Sequence, residues 1–426
     1  MSNVSNEGRS VLQRLMNKKT VLVLAVFLLM FSLVFPLPLS FSVPPPKKIR
    51  IGVIAASTAN FEIVQPLFKE IIEPDINAYM ARLPRDRFNP PVRFEFLVED
   101  AQASAEVHLQ KVQMFHRMGV DLIVGGQWSS QAAASLDYIN EHGILLISAS
   151  STGPSLAIPG DNLFRLCPDD ARQGRAMSAM LLSKGITKAI VIQRDDAWGN
   201  GIYGSFEAEY TSGGGTIVAH EAYPTETTDF TTYLTSAEAA ATGAPDESIL
   251  MLSFDEGATI ITQAQDYPNI YSLAWFGSDG SAKSYKILDE APEQACHLKI
   301  YSTLSAPTYS SKYDEMAQRY YDLIGQEMNF YIACQVDAAW LLALGVLETQ
   351  SSATRQVKAT DIIAVLPDVA SRYFGYSGWC LLNEAGDRMS NNYDVWGFAE
   401  VSGECVFFKY GFYDSMLGQM TWYPTP

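Results

Sequence analysis

The chain has 426 residues, of which 48% are hydrophobic and 18% charged, a globular composition with room for two or three domains and unlike that of a disordered chain. Its net charge of −17 argues against a body that grips nucleic acid, and no basic patch with interleaved aromatics occurs. The five cysteines form no C-x-x-C pair and no Cys/His cluster, so neither a metal nor another cofactor is expected.

The N-terminus differs from the rest. Arg9, Arg14, Lys18 and Lys19 precede an uncharged run, Val21–Val43, which is close to the ~20 residues needed to span a bilayer. The basic flank places the first residues in the cytoplasm and the body outside. The expected division is a cytoplasmic segment at 1–19, a transmembrane anchor or signal segment at 20–43, and a Pro-rich linker at 44–48. Ser40-Phe41-Ser42 is a weak cleavage site, so anchoring and removal both stay open. The protein is then expected at the cell membrane, on its extracytoplasmic face.

From Arg50 onward, strands and helices alternate. Arg50–Ala55 is a buried strand. A helix at about 60–80 follows, bent at Pro66 and Pro74. Val92–Val98 alternates as a strand, and Ser104–Met118 is an amphipathic helix closed by Gly119. Leu122–Val124 and Ile144–Ile147 are buried strands flanking a helix for which Ser129 is the expected N-cap and Gly143 the stop. Both strands end in small hydroxylated residues facing one crevice, and ligands in open α/β sheets sit at such carboxyl ends. After Asn162–Leu166 the alternation restarts with strands at 189–193, 216–220, 248–252 and 271–276. Lys299–Thr303 is a candidate return crossing to the first lobe. Helices follow at about 311–323, 331–348 and 360–366, then strands at 376–382, 393–401 and 404–410.

Two stretches, G-G-Q-W-S-S at 125–130 and I-S-A-S-S-T-G-P at 147–154, resemble the amino-acid-binding branch of type I periplasmic binding proteins, the Leu/Ile/Val-binding family of ABC transporters. The resemblance spans about residues 48–412. It implies two doubly wound parallel-sheet α/β lobes joined by three hinge crossings, here preceded by one N-terminal hydrophobic helix. Lobe 1 is expected at 49–166 plus 300–374 and lobe 2 at 167–299 plus 375–412, with residues 413–426 as a tail.

The resemblance also assigns roles. Ser129, Ser151 and Thr152 match positions that hold a ligand's α-carboxylate. Asp279, in W-F-G-S-D-G, matches the acidic position for the α-ammonium group; otherwise it is a helix N-cap. Trp198, in R-D-D-A-W-G-N-G, matches an aromatic that lines the cleft; otherwise it supports a surface turn. Phe254 stands where relatives often carry Tyr, so a hydroxyl is lost there. Phe61 either closes the cleft mouth or packs in the core. The implied partners are an amino-acid-like solute and a transporter permease.

Three further readings follow. Gly199-Asn200-Gly201-Ile202-Tyr203-Gly204 fits G-x-G-x-x-G, with Glu221 in the place of the ribose-binding acid. It is set aside because Asp195 and Asp196 repel a pyrophosphate and the strand is expected to end near Gln193, well before the first glycine. Cys380 and Cys405, in neighbouring expected strands of an exported chain, are the expected disulfide. No G-x-S-x-G, H-E-x-x-H or Walker loop occurs, and His108 and His116 are expected to be solvated, so a binding protein is favoured over a secreted enzyme. The roles of ligand-sensing ectodomain and of amide- or urea-type solute binder stay open beside that of an amino-acid binder.

Overall fold

The structure is a computed structural model and describes residues 47–83, 92–349, 357–389 and 391–425. The expected hydrophobic segment at 20–43, the segment before it and the spacer up to Pro46 lie outside the described residues.

β1 (Lys47–Ala55), β2 (Val92–Asp100), β3 (Leu122–Val124), β4 (Leu145–Ser148) and β5 (Leu163–Arg165) form a parallel sheet in the order β2-β1-β3-β4-β5. The short apolar runs at β3 and β4 are buried at every residue, as strands covered on both faces require. One face carries α1 (Thr58–Pro66) and α2 (Glu73–Arg82), joined by a π-helical turn, Leu67–Ile72. Pro74 has no N–H to give to the preceding turn, and Glu73 N–H reaches back to the Phe68 carbonyl instead. The other face carries α3 (Ala105–Arg117), capped by Ser104, and α4 (Ser129–His142). Val112, Phe115 and Ile139 of these helices meet Ile54, Ile123 and Leu146 of the sheet.

α5 (Asp170–Ser183) then leads into a second sheet. β6 (Lys188–Asp195), β7 (Thr216–Pro224), β8 (Glu247–Leu252), β9 (Ala274–Gly277) and β10 (Tyr301–Ser305) are parallel. β11 (Tyr393–Val401), β12 (Glu404–Asp414) and β13 (Gln419–Trp422) extend it antiparallel, in the order β13-β12-β11-β10-β9-β8-β6-β7. α5 and α6 (Ala197–Ser212) cover one face. α7 (Thr231–Ala240), α8 (Gly257–Ala264) and the short α9 (Pro268–Tyr271), α10 (Tyr285–Glu290) and α11 (Pro292–Leu298) cover the other. Between β10 and β11 the chain returns to the first core with α12 (Ser311–Ile324), α13 (Phe330–Thr349) and α14 (Ala359–Ser371). α13 has the length and apolar content of a membrane span, but most of it is buried in this core.

Several expectations are corrected. Residues 301–305, expected in lobe 1, are a strand of the second sheet, so the return begins after Ser305. Residues 375–388, expected in lobe 2 with a strand at 376–382, pack on the first lobe and form only isolated bridges. The reason is polar. The buried Asp337 carboxylate on α13 accepts the backbone N–H groups of Tyr376 (2.7 Å) and Ser377 (2.8 Å), replacing a sheet partner. Arg165 at the end of β5 grips Asp387 through Nε (2.5 Å) and Nη2 (2.6 Å), with both side chains fully buried. The expected tail at 413–426 contributes β13, an edge strand.

The disulfide also differs. Cys405 on β12 bonds Cys296 on α11, with Cα atoms 5.9 Å apart. Cys380 is a buried free thiol beside Asp337, because its segment belongs to the first lobe rather than beside β12. His108 is fully buried, not solvated: its Nε2 accepts the Gly126 N–H at 2.7 Å, and its Nδ1 lies 2.8 Å from Ser135 Oγ.

Candidate functional site

The carboxyl ends of β1, β3 and β4 open on one side of the first lobe, and side chains tie their loops together. Gly126 takes a positive φ of 62°, which lets the chain turn sharply after β3. His108 holds the Gly126 N–H, and Ser148 Oγ donates to the Gly126 carbonyl at 2.8 Å. Gln131 Nε2 donates to the Ala56 carbonyl at 2.8 Å, joining the third loop. Burial of His108 pushes its pKa down to about 3, which keeps Nε2 free to accept. This histidine shapes the loop, a role that its place on an amphipathic helix does not announce.

Trp128, not Ser129, occupies the N-cap of α4, and Ser129 is the first helical residue. Ser129 is buried, and its Oγ accepts the Gly153 N–H at 3.0 Å. Ser150 Oγ donates to the Gln127 carbonyl at 2.8 Å. Ser129 and Ser150 both line a cavity of about 590 Å³. Ser151 and Thr152 do not line it. Ser151 is fully buried with an unpartnered hydroxyl, and Thr152 Oγ1 donates to Asp170 Oδ2 at 2.9 Å. The turn after β4 therefore brings Ser150 into the wall and sends the next two side chains inward.

The second lobe supplies the opposite wall. β6 ends at Asp195, and Asp196 caps α6 by accepting the N–H groups of Trp198 (3.0 Å) and Gly199 (2.8 Å). The helix thus starts four residues before Gly201, and the glycines of the G-x-G-x-x-G pattern lie inside it. Its strand also runs past Gln193, correcting one ground for setting the pattern aside. A stronger ground replaces it: the Asp196 carboxylate already takes the N–H groups that a pyrophosphate would need. Gly201 serves packing, since a Cβ there would sit 2.7 Å from Pro154 Cδ.

Trp198, Phe254 and Asp279 all line the cavity. Phe254 lies between two indoles, 4.3 Å from Trp198 and 5.4 Å from Trp128, at interplanar angles of 30° and 27°. Trp128 belongs to the first lobe, so this stack joins the two walls. Trp198 is buried and its indole N–H has no partner. Phe61, a candidate for the cleft mouth, packs against the first core instead.

Asp279 follows β9. Its Oδ2 accepts the Tyr331 hydroxyl at 2.6 Å and its Oδ1 accepts Gln173 Nε2 at 2.9 Å. Burial raises its pKa, opposed by these two donors. Asp170 is fully buried nearby. Burial, then the charge of Asp279, raises its pKa, and its Oδ1 has no partner. Tyr331 lies 52 residues beyond Asp279, on α13 of the other lobe, and no local motif marks it. Trp128 was legible inside G-G-Q-W-S-S but carries no assigned role there. Among the described residues, no group of three or more His, Cys, Asp or Glu side chains is arranged to hold a metal ion.

Comparison with known proteins places this geometry. The model of the receptor family ligand binding region matches residues 80–400. An uncharacterized protein of Methanocaldococcus jannaschii is 29% identical over 83% of this chain and 86% of its own length. The Leu/Ile/Val-binding protein BraC3 of Rhizobium johnstonii is 23% identical over 56% of this chain and 65% of its own, just under two thirds of that relative. Among solved structures, the branched-chain amino acid transporter substrate binding protein LivJ of Streptococcus pneumoniae, in complex with isoleucine, superimposes with a TM-score of 0.69. It is 20% identical and covers 85% of this chain and 100% of its own. That likeness carries the fold: two α/β lobes with parallel sheets facing one cleft. The chain belongs to the receptor-type ligand-binding family with the type I periplasmic binding fold, and is similar there to the branched-chain amino-acid-binding proteins.

Proposed function

We propose that this protein is an extracytoplasmic solute-binding protein that closes on an amino acid or similar small zwitterion and delivers it to an ABC transporter permease. One observation carries the reading. A single cavity, of a size ordinary for small-molecule sites, presents hydroxyls and an unpartnered indole N–H together with a half-buried carboxylate. Ser129, whose Oγ only accepts within the protein, and Trp198 offer donors to a carboxylate, while Ser150 turns its lone pairs to the cavity because its proton is held by the Gln127 carbonyl. Asp279, fixed by Tyr331 and Gln173, offers an acceptor to an ammonium group. Ser151 and Thr152 act behind the wall, by setting the loop that carries Ser150.

The segments between β5 and α5, between β10 and α12, and before β11 are the hinges about which the lobes close. The Trp128–Phe254–Trp198 stack and the Tyr331–Asp279 hydrogen bond join the lobes across the cleft. Residues 20–43 export or anchor the chain. Thermal-shift screening of purified protein against amino acids, amides and urea-like solutes tests the ligand class. Stabilisation by an amide or urea alone replaces the zwitterion with a neutral solute. Turnover of any stabilising compound replaces transport with catalysis. Protease added to intact cells should digest the body; a protected body overturns the orientation.

A further inference from the structure

A zwitterionic ligand leaves part of the cavity wall without an electrostatic account. Two lysines line it, and each is already paired: Lys283 with Glu327 at 2.5 Å and Lys286 with Glu290 at 2.6 Å. Four more carboxylates of the wall, Glu62, Asp255, Asp279 and Asp289, have no ion pair among the described residues. A monoamino acid brings one ammonium group, received by Asp279, and its own carboxylate cancels that charge. Glu62 and Asp289, at the exposed rim, then face the bound ligand unbalanced, whereas Asp255 feels the charges of Lys286 and Arg194.

A second and independent observation lies deeper. Gln335 lines the same cavity, is 3% exposed, and its Oε1 has no hydrogen-bond donor. A buried acceptor without a donor costs roughly 1–3 kcal/mol, so such an atom in a ligand-facing wall points to a donor on the ligand. Gln335 sits one helical turn after Tyr331, the residue that orients Asp279, so the unmet acceptor is on the ammonium side of the cavity.

We propose, resting on the zwitterion reading above, that the ligand carries a second cationic N–H group, an ammonium, amidinium or guanidinium, received by Gln335 Oε1 and favoured at longer range by the unpaired carboxylates of the wall. The chemical class is a basic amino acid, not a branched-chain one.

The test is calorimetry on the purified full-length protein with L-leucine, L-glutamine, L-lysine, L-arginine and agmatine, the last having the guanidinium without the carboxylate. L-Lysine or L-arginine should bind about tenfold or more tighter than L-leucine. That advantage should shrink between about 0.05 and 0.5 M salt. Glu62→Gln, at an exposed site that does not threaten folding, and Gln335→Leu should each lower the ratio of L-arginine to L-leucine affinity about threefold or more. L-Leucine or L-glutamine binding as tightly as L-lysine and L-arginine overturns the second cation while the amino-acid reading stands. Agmatine binding as tightly as L-arginine supports the second cation and removes the carboxylate end. Binding by none of the five overturns both.

Discussion

Replacing Asp279 with Asn separates a structural aspartate from a ligand-binding one. The carboxylate accepts two hydrogen bonds, from Tyr331 at 2.6 Å and Gln173 at 2.9 Å, and burial raises its pKa. Asn keeps the shape. Its oxygen accepts one of the donors, and the Tyr331 hydroxyl can turn to accept from the amide. At most about one neutral hydrogen bond, ~0.5–1.5 kcal/mol, is lost, and relief of a desolvated charge offsets it. The melting temperature of the unliganded variant should therefore stay near that of wild type. Ligand binding should not. A charge-assisted contact to an ammonium contributes roughly 1.5–3 kcal/mol, so the dissociation constant for a bound amino acid should rise about 10- to 150-fold. Calorimetry with L-arginine and L-leucine on both proteins reads this directly, with the corresponding amino-acid amides as a second series. An unchanged affinity for whichever amino acid binds wild type refutes the role of Asp279 and leaves it a residue that joins the lobes.

Arg165→Gln should lower unfolding free energy by about 3–5 kcal/mol, because Asp387 is left charged in a buried site. It also frees the Ser151 and Gly153 carbonyls that Arg165 Nη1 holds at 3.1 and 2.7 Å; a loss under about 1 kcal/mol in urea titration sinks this account. His108 has a folded pKa near 3 against an ordinary value of 6.5, so the unfolded chain takes up its proton first as pH falls. The stability it contributes is complete above pH ~6.5 and falls by about 1.4 kcal/mol per unit below it; an equally steep acid limb in His108→Gln excludes the effect. Cys405→Ser opens a 109-residue loop and should destabilise by about 2–5 kcal/mol, while a non-reducing peptide map should join Cys296 to Cys405 and leave Cys380 alkylatable only after unfolding. Gly280→Ala places a Cβ 2.3 Å from the Ser253 carbonyl oxygen and 2.9 Å from Phe254 and Trp198. It should displace the aromatic stack and weaken ligand binding about tenfold or more, and unaltered affinity would separate that stack from the site.

The features legible in the chain itself are local ones. Apolar runs such as Leu122–Val124 and the stripe through Val112 and Phe115 set strands and helices, because burial on one or two faces leaves a period in the chain. Gly143 as a stop and the alternation of elements were legible for the same reason, and with them two α/β lobes facing a cleft, whereas the cap expected at Ser129 falls at Trp128. Ser129, Trp198, Phe254 and Asp279 were also found in the wall of one cavity, since each follows a strand at its carboxyl end. Packing settled whatever depended on partners far away in the chain. Ser151 and Thr152 turned inward because Asp170 claims the Thr152 hydroxyl. Residues 375–388 went to the first lobe because Asp337 takes their N–H groups and Arg165 binds Asp387 across 222 residues. That placement carried Cys380 away from Cys405 and left Cys296 as its partner. His108, Gln335 and Tyr331 acquired their surroundings in the same way. Hydrophobic periodicity records which face of an element is buried, but not which buried polar group it meets; those pairings arise only when distant elements are packed, because a desolvated donor or acceptor must find whatever partner the fold brings within reach.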